Sequence, residues 1–299
     1  MTTLSASPPA APADGAADAL PLTLGRRLTL AFGVPVMVGT ILLVGFNLVG
    51  NVGRASFPVS HRLPLSDGHF TMNVGGGDVG LRGAPGDLGT ARLTGTVNYS
   101  LVRPKIFWND GAGTAGVRLG CPFWSMTNCE LNAHVDLPVA AVVNASTAGG
   151  NVTATGLSGA VTLRTGGGDV NVSDLSGPVS VTTSGGNVSV DRVSGATSVR
   201  TGGGDITGTG ITARDVTAET SGGNVGLTLT VVPANLAVQT GGGDVTIIVP
   251  RLPGGVGYDL TATTGGGDVN RDVVIDQSSP YKITAATSAG NITVEYPAS

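Results

Sequence analysis

Two hydrophobic patterns divide the chain. Residues 28–50 read LTLAFGVPVMVGTILLVGFNLVG, 23 positions without a charge. A bilayer-crossing helix needs ~20 apolar residues, so this run predicts one. From about residue 70 to the C-terminus, apolar and polar residues alternate instead. In 165–182, TGGGDVNVSDLSGPVSVT, Val170 and Val172 alternate with polar neighbours and Leu175 closes the run. Gly177-Pro178 makes a turn, and Val179 and Val181 alternate again. The next unit repeats this with Val188, Val190, Val193, Gly195 and Val199. Period-two alternation predicts strands with one buried face. Each unit therefore holds two short strands and two turns, and the glycines are expected to supply positive φ at a corner.

The unit boundary is a tetrapeptide ending in Asp or Asn, and it recurs nine times. Its last residues are Asp78, Asn151, Asp169, Asn187, Asp205, Asn224, Asp244, Asp268 and Asn291. Thr precedes the last eight copies. From Asn151 the spacings are 18, 18, 18, 19, 20, 24 and 23 residues. Two folds fit such repeats: a β-solenoid with stacked coils, or an antiparallel meander with hairpin turns. A period of 18 with two chemically different turns favours the solenoid, an all-β domain of ~18–24-residue coils preceded by one transmembrane helix. From Asp169 to Asp244 the terminal residue alternates Asp and Asn, while the residue three before it alternates Gly and Ser. In stacked coils this keeps carboxylates two layers apart, since like charges directly opposite are unfavourable. The succession Asp244–Asp268 breaks the alternation where the units lengthen.

Composition fits a thin β core: 12% of residues are charged, 4% are aromatic, and Gly is 49 of 299. Arg26-Arg27 at the start of the apolar run places the N-terminus in the cytoplasm by the positive-inside rule and the remainder outside the cell. A cleaved signal peptide is the rival reading, but its apolar region is typically only ~7–15 residues. Outside the cell, Cys121 and Cys129, eight positions apart, are expected to form a disulfide. Net charge is −4 with no basic run beyond Arg26-Arg27, so nucleic acid is not an expected partner. The expected organisation is a tail over 1–25, a membrane anchor over 26–50, a stalk over 51–67 and the repeat domain over 68–299, with an insertion at about 99–130. That insertion concentrates Tyr99, Phe107, Trp108, Phe123 and Trp124. It reads either as a hydrophobic cap on the first coil or as a partner-binding surface.

Calcium is the sharpest chemical alternative, because nonapeptide G-G-x-G-x-D repeats bind it in β-rolls. Asp169, Asp205 and Asp244 would form that ladder. Against it, the acid follows the last Gly directly, and alternate acids are replaced by Asn. The simpler role for Asp and Asn is capping backbone N–H groups at the corner. His61, His69 and His134 fall in no catalytic motif. No cofactor or metal is expected, and an enzyme is not.

The TGGGDV and TSGGNV units with intervening LSG or VSG turns resemble the bacterial putative-adhesin β-strand-repeat family, also called the toastrack domain, over about residues 70–296. The resemblance implies a β-helical envelope domain without established enzymatic activity. It points to a membrane-anchored surface protein of the Gram-positive or actinobacterial type, an adhesin or envelope scaffold whose partner is a wall polymer or another envelope protein. The alternatives are an envelope-stress accessory acting with a membrane partner, and a calcium-binding β-roll or glycan-active enzyme.

Overall fold

A computed structural model describes residues 54–86, 89–100, 102–110, 115–121 and 129–298, together with Val36, Met37 and Thr40. The chain divides into two compact units, Met1–Val52 and Gly53–Ser299; the second carries the fold. The expected anchor at 26–50 lies outside the described residues except at those three positions. Among the described residues, no helix is long and apolar enough to cross a membrane.

The repeat unit folds as the alternation requires. Take β10 (Val161–Thr165), β11 (Val170–Leu175), β12 (Val179–Thr183) and β13 (Val188–Val193). β10 pairs in parallel with β12, and β11 with β13, each residue lying beside its equivalent 18 positions on. Val170, Val172, Leu175, Val179 and Val181 all point inward and are buried. Their branched side chains fill the thin space between two sheets, which suits stiff, β-branched rotamers. The fold is therefore a solenoid and not a meander.

Coils with a strand in each sheet continue in both directions. The further strands are β8 (Val142–Thr147), β9 (Val152–Thr155), β14 (Thr197–Thr201), β15 (Ile206–Ile211), β16 (Asp215–Thr220), β17 (Val225–Leu229), β18 (Asn235–Thr240) and β19 (Val245–Ile248). The C-terminal coils are β20–β21 (Asp259–Thr264, Val269–Asp272) and β22–β23 (Lys282–Thr287, Ile292–Glu295). At the N-terminal end lie β1 (Arg54–Pro64), β2 (His69–Val74), β3 (Val79–Ala84), β4 (Thr90–Ser100), β5 (Lys105–Asn109), β6 (Ala115–Gly120) and β7 (Cys129–Pro138). Sheet A runs β1-β4-β7-β3-β9-β11-β13-β15-β17-β19-β23-β21. Sheet B runs β20-β22-β18-β16-β14-β12-β10-β8-β2-β6-β5.

These orders exchange the first two coils and the last two. Coil β2–β3 lies inside coil β6–β7, and coil β22–β23 lies between β18–β19 and the outermost coil β20–β21. Both sequence ends of the repeat are thus held between neighbours. The outer edge of β20 is covered as well: Leu260 O accepts from Gln277 Nε2, and Ala262 O accepts from an Arg271 guanidinium nitrogen. Free strand edges invite pairing with another chain, and these side chains occupy the carbonyls that would template it.

The segment expected as a stalk is not one. Arg54–Pro64 forms β1, paired antiparallel along its whole length with β4, because Phe57, Val59, His61 and Leu63 alternate inward toward the core. The expected insertion supplies structure too. β6 and β7 make a full coil, while β5 pairs antiparallel with β6 and ends sheet B.

Candidate functional site

At the glycine corner the side chains of the terminal Asp and Asn residues form one continuous line. Asn187 N–H donates to Asp169 Oδ1 at 2.7 Å, Asp205 N–H to Asn187 Oδ1 at 2.9 Å, and Asn224 N–H to Asp205 Oδ1 at 2.7 Å. Each residue therefore caps the backbone of the neighbouring coil, not its own turn. The pattern holds from Asn132, through Asp78, Asn151, Asp169, Asn187, Asp205, Asn224, Asp244 and Asn291, to Asp268. Because coil β22–β23 is interposed, Asn291 separates Asp244 from Asp268. The break in alternation along the sequence is absent in space. Asn132 was not singled out from the sequence, because its coil reads Cys129-Glu130-Leu131-Asn132 and lacks the glycines.

Behind this line runs a second, buried one. Thr201 donates its hydroxyl to Gly186 O at 2.8 Å and accepts from Gly204 N–H at 3.2 Å. The same pair of bonds recurs at Thr165, Thr183, Thr220, Thr240 and Thr287. A buried hydroxyl with both roles filled satisfies corner groups that water cannot reach. The glycines serve this closeness. Among the corner glycines only Gly77 has positive φ, so positive φ is not the general reason for them. A Cβ on the third glycine, Gly204 for example, would overlap the Gly186 carbonyl of the coil below.

The regular outer face of sheet A is interrupted beside this corner by a groove of about 970 Å³. One wall carries Asp78, Asn132, Asn151 and Asp169. The floor holds Gly80, Thr153 and Asn171, with the exposed His134 imidazole lying over Gly80; a Cβ built on Gly80 would meet His134 Nδ1 at 2.6 Å. At the far end Arg82 pairs with Asp136, Nε to Oδ1 at 3.0 Å. Among the described residues, no group of three or more His, Cys, Asp or Glu side chains comes together to hold a metal ion. Along the ladder, alternate layers are amides, and the carboxylates of Asp78, Asp169, Asp205 and Asp244 each already accept a backbone N–H.

Cys121 and Cys129 are bonded, with Cα atoms 6.1 Å apart. They join the end of β6 to the start of β7, the one corner where the glycine motif is missing. The aromatic residues divide. Trp108 stacks on His61 with ring centroids 4.2 Å apart, joining β5 of one sheet to β1 of the other. Tyr99 meets Phe57 edge-on at 5.9 Å, and Arg103 lies over the Phe57 ring. Trp108, His61, Tyr99 and Phe57 are half-buried, whereas Arg103 is exposed. Phe107 points outward and is 55% exposed. Phe123 and Trp124 lie outside the described residues.

A family model for Toastrack DUF4097 matches residues 133–295. Among solved structures the chain is similar to a putative cell adhesion protein from Clostridium sporogenes. The identity is 16%, 81% of this chain and 100% of that one are covered, and the TM-score is 0.28. It is also similar to a putative adhesin from Parabacteroides distasonis, at 13% identity over 81% and 97% of the two chains, with a TM-score of 0.24. No curated protein matches the chain. The family match spans more than half of the 299 residues and falls on the stacked coils themselves, so the chain belongs to the toastrack family.

Proposed function

We propose that this protein is a non-enzymatic surface module, held by one N-terminal membrane segment with its solenoid outside the cell, where it holds an envelope polymer or protein. The observation that carries this reading is the Cys121–Cys129 disulfide at the first corner of the solenoid. Structural disulfides persist in oxidising compartments outside the cytoplasm. The uncharged run at 28–50, preceded by Arg26-Arg27, supplies the matching anchor and orientation. The solenoid supplies the display surface. Its apolar side chains turn inward, and its outer faces present Thr, Ser and Asn over many layers.

Protease treatment of intact cells tests the placement. The expected result is digestion of 54–299 from outside, sedimentation of the protein with membranes, and release from them when Leu42 and Leu43 are both replaced by Arg. A domain protected in intact cells, or a wild-type protein free of the membrane fraction, contradicts the proposal.

A further inference from the structure

We propose that the groove over Gly80 binds a short stretch of an amino-sugar glycan bearing free amines. The inference rests on the surface reading above and names the ligand class for it. Charge gives the first argument. The groove holds three carboxylates, Asp78, Asp136 and Asp169, against one guanidinium, Arg82. Three less one leaves two negative charges before His134 is counted, and Arg82 is already paired with Asp136. The uncompensated pair is Asp78 and Asp169. Polyanions are disfavoured here and a chain of spaced cations is favoured.

Spacing gives the second argument. Asp78 and Asp169 lie at the corner immediately before β3 and β11, with Asn151, immediately before β9, in the layer between them. Two strand spacings put the carboxylates about 9.6 Å apart. In a β-1,4-linked glycan every second sugar presents the same edge, at a repeat close to this length. Asn151 lies between the acids, and Thr153 and Asn171 line the groove beside them, offering amide and hydroxyl groups to the ring hydroxyls of a sugar.

Backbone geometry excludes one rival, a basic peptide added as a further strand. β3, β9 and β11 are each paired on both sides. No strand edge is free in the groove, so a peptide cannot add by main-chain hydrogen bonds. The missing side chain at Gly80 leaves room for the His134 imidazole to lie over the sheet there, so the ring forms part of the groove floor.

The test is titration of the purified full-length protein in detergent with a fully de-N-acetylated chitosan hexamer, its N-acetylated counterpart, and hexalysine. Asp78→Asn and Asp169→Asn are suitable variants, because Asn already serves as a ladder residue and accepts the same N–H. The expected result is binding of the free-amine hexamer, weakened about tenfold by either substitution, a loss typical of one charged hydrogen bond. Gly80→Val should also weaken it by lifting His134 into the groove. Asp244→Asn, on the same ladder beyond the groove, should leave binding unchanged. The proposal is overturned by no binding of the free-amine hexamer, equal binding of the N-acetylated form or of hexalysine, or an equal loss from Asp244→Asn. Binding by purified protein does not depend on where the cell displays the domain. Failure here leaves the surface reading intact, and failure of the protease experiment leaves this one intact.

Discussion

Replacing Asn187 by Asp places three carboxylates, at 169, 187 and 205, in adjacent layers. The side-chain acceptor for Asp205 N–H is retained, so the hydrogen-bond frame is unchanged and only charge is added. Neighbouring strands lie about 4.8 Å apart. At that separation two unit charges in water repel by about 0.9 kcal/mol, and two neighbours give about 1.7 kcal/mol. At 10 mM salt screening is slight, whereas the Debye length at 1 M is about 3 Å. The penalty should then fall to a few tenths of a kcal/mol. For a domain of this size the low-salt value corresponds to about 3–7 °C in Tm. Thermal unfolding by circular dichroism, at 10 mM and 1 M salt, reads both numbers. A triple variant with Asp169→Asn and Asp205→Asn added should recover wild-type stability. The reasoning is refuted if Asn187→Asp melts with wild type at low salt, if its loss persists undiminished at 1 M, or if the triple variant fails to recover.

Thr201→Val should cost about 1–3 kcal/mol, because it leaves the buried Gly204 N–H without an acceptor, while Thr201→Ser should stay near wild type in chemical denaturation. Gly204→Ala should prevent coils from stacking and abolish soluble yield, whereas Gly203→Ala, with open space around its Cβ, should express normally. Cys121→Ser opens an eight-position loop and should cost about 2.5 kcal/mol by chain entropy, with the first coils showing the faster hydrogen exchange. Arg192 hydrogen-bonds Asp174 and holds its carboxyl below the usual carboxylate range. A folded-state value below the unfolded one adds stability at higher pH and loses it as pH falls through the folded value. The Tm gap between wild type and Asp174→Asn should therefore be present above pH ~4 and close in stronger acid.

The regular coils were legible because stacking copies the same demand into every layer. The alternation at Val170, Val172, Val179 and Val181 gave strands, and the period of 18 gave parallel register. The role of the Gly/Ser alternation was not legible, since it depends on one coil meeting the next. Gly202 donates its N–H to Thr183 O, and a Cβ there would overlap the Ser184 carbonyl, whereas the intervening coils leave room for Ser. Asn132 was invisible because a disulfide stands at its corner where glycines would mark the unit. β1 falls in the segment expected as a stalk; it contains Pro58 and Pro64, which antiparallel pairing at a sheet edge tolerates. The exchange of the last two coils left one trace, the adjacent pair Asp244 and Asp268 with lengthened spacings. The groove left only Gly80, at a position where the other coils carry Thr, Asn, Ser or, once, Gly226, a signal without meaning until His134 is placed beside it.

Coil order at the C-terminus is the claim on which the unbroken Asp/Asn line depends, and cysteine pairs read it directly. Thr246 on β19 lies beside Thr293 on β23, while Asn270 on β21 is one layer further out. Adjacent strands put Cα atoms within disulfide range, and a two-layer separation of about 9.6 Å does not. Mild oxidation followed by peptide mass spectrometry should link the Thr246→Cys/Thr293→Cys pair and leave Thr246→Cys/Asn270→Cys unlinked. Efficient linkage of 246 to 270 instead would mean that the coils stack in sequence order, and that Asp244 faces Asp268 with no Asn between them.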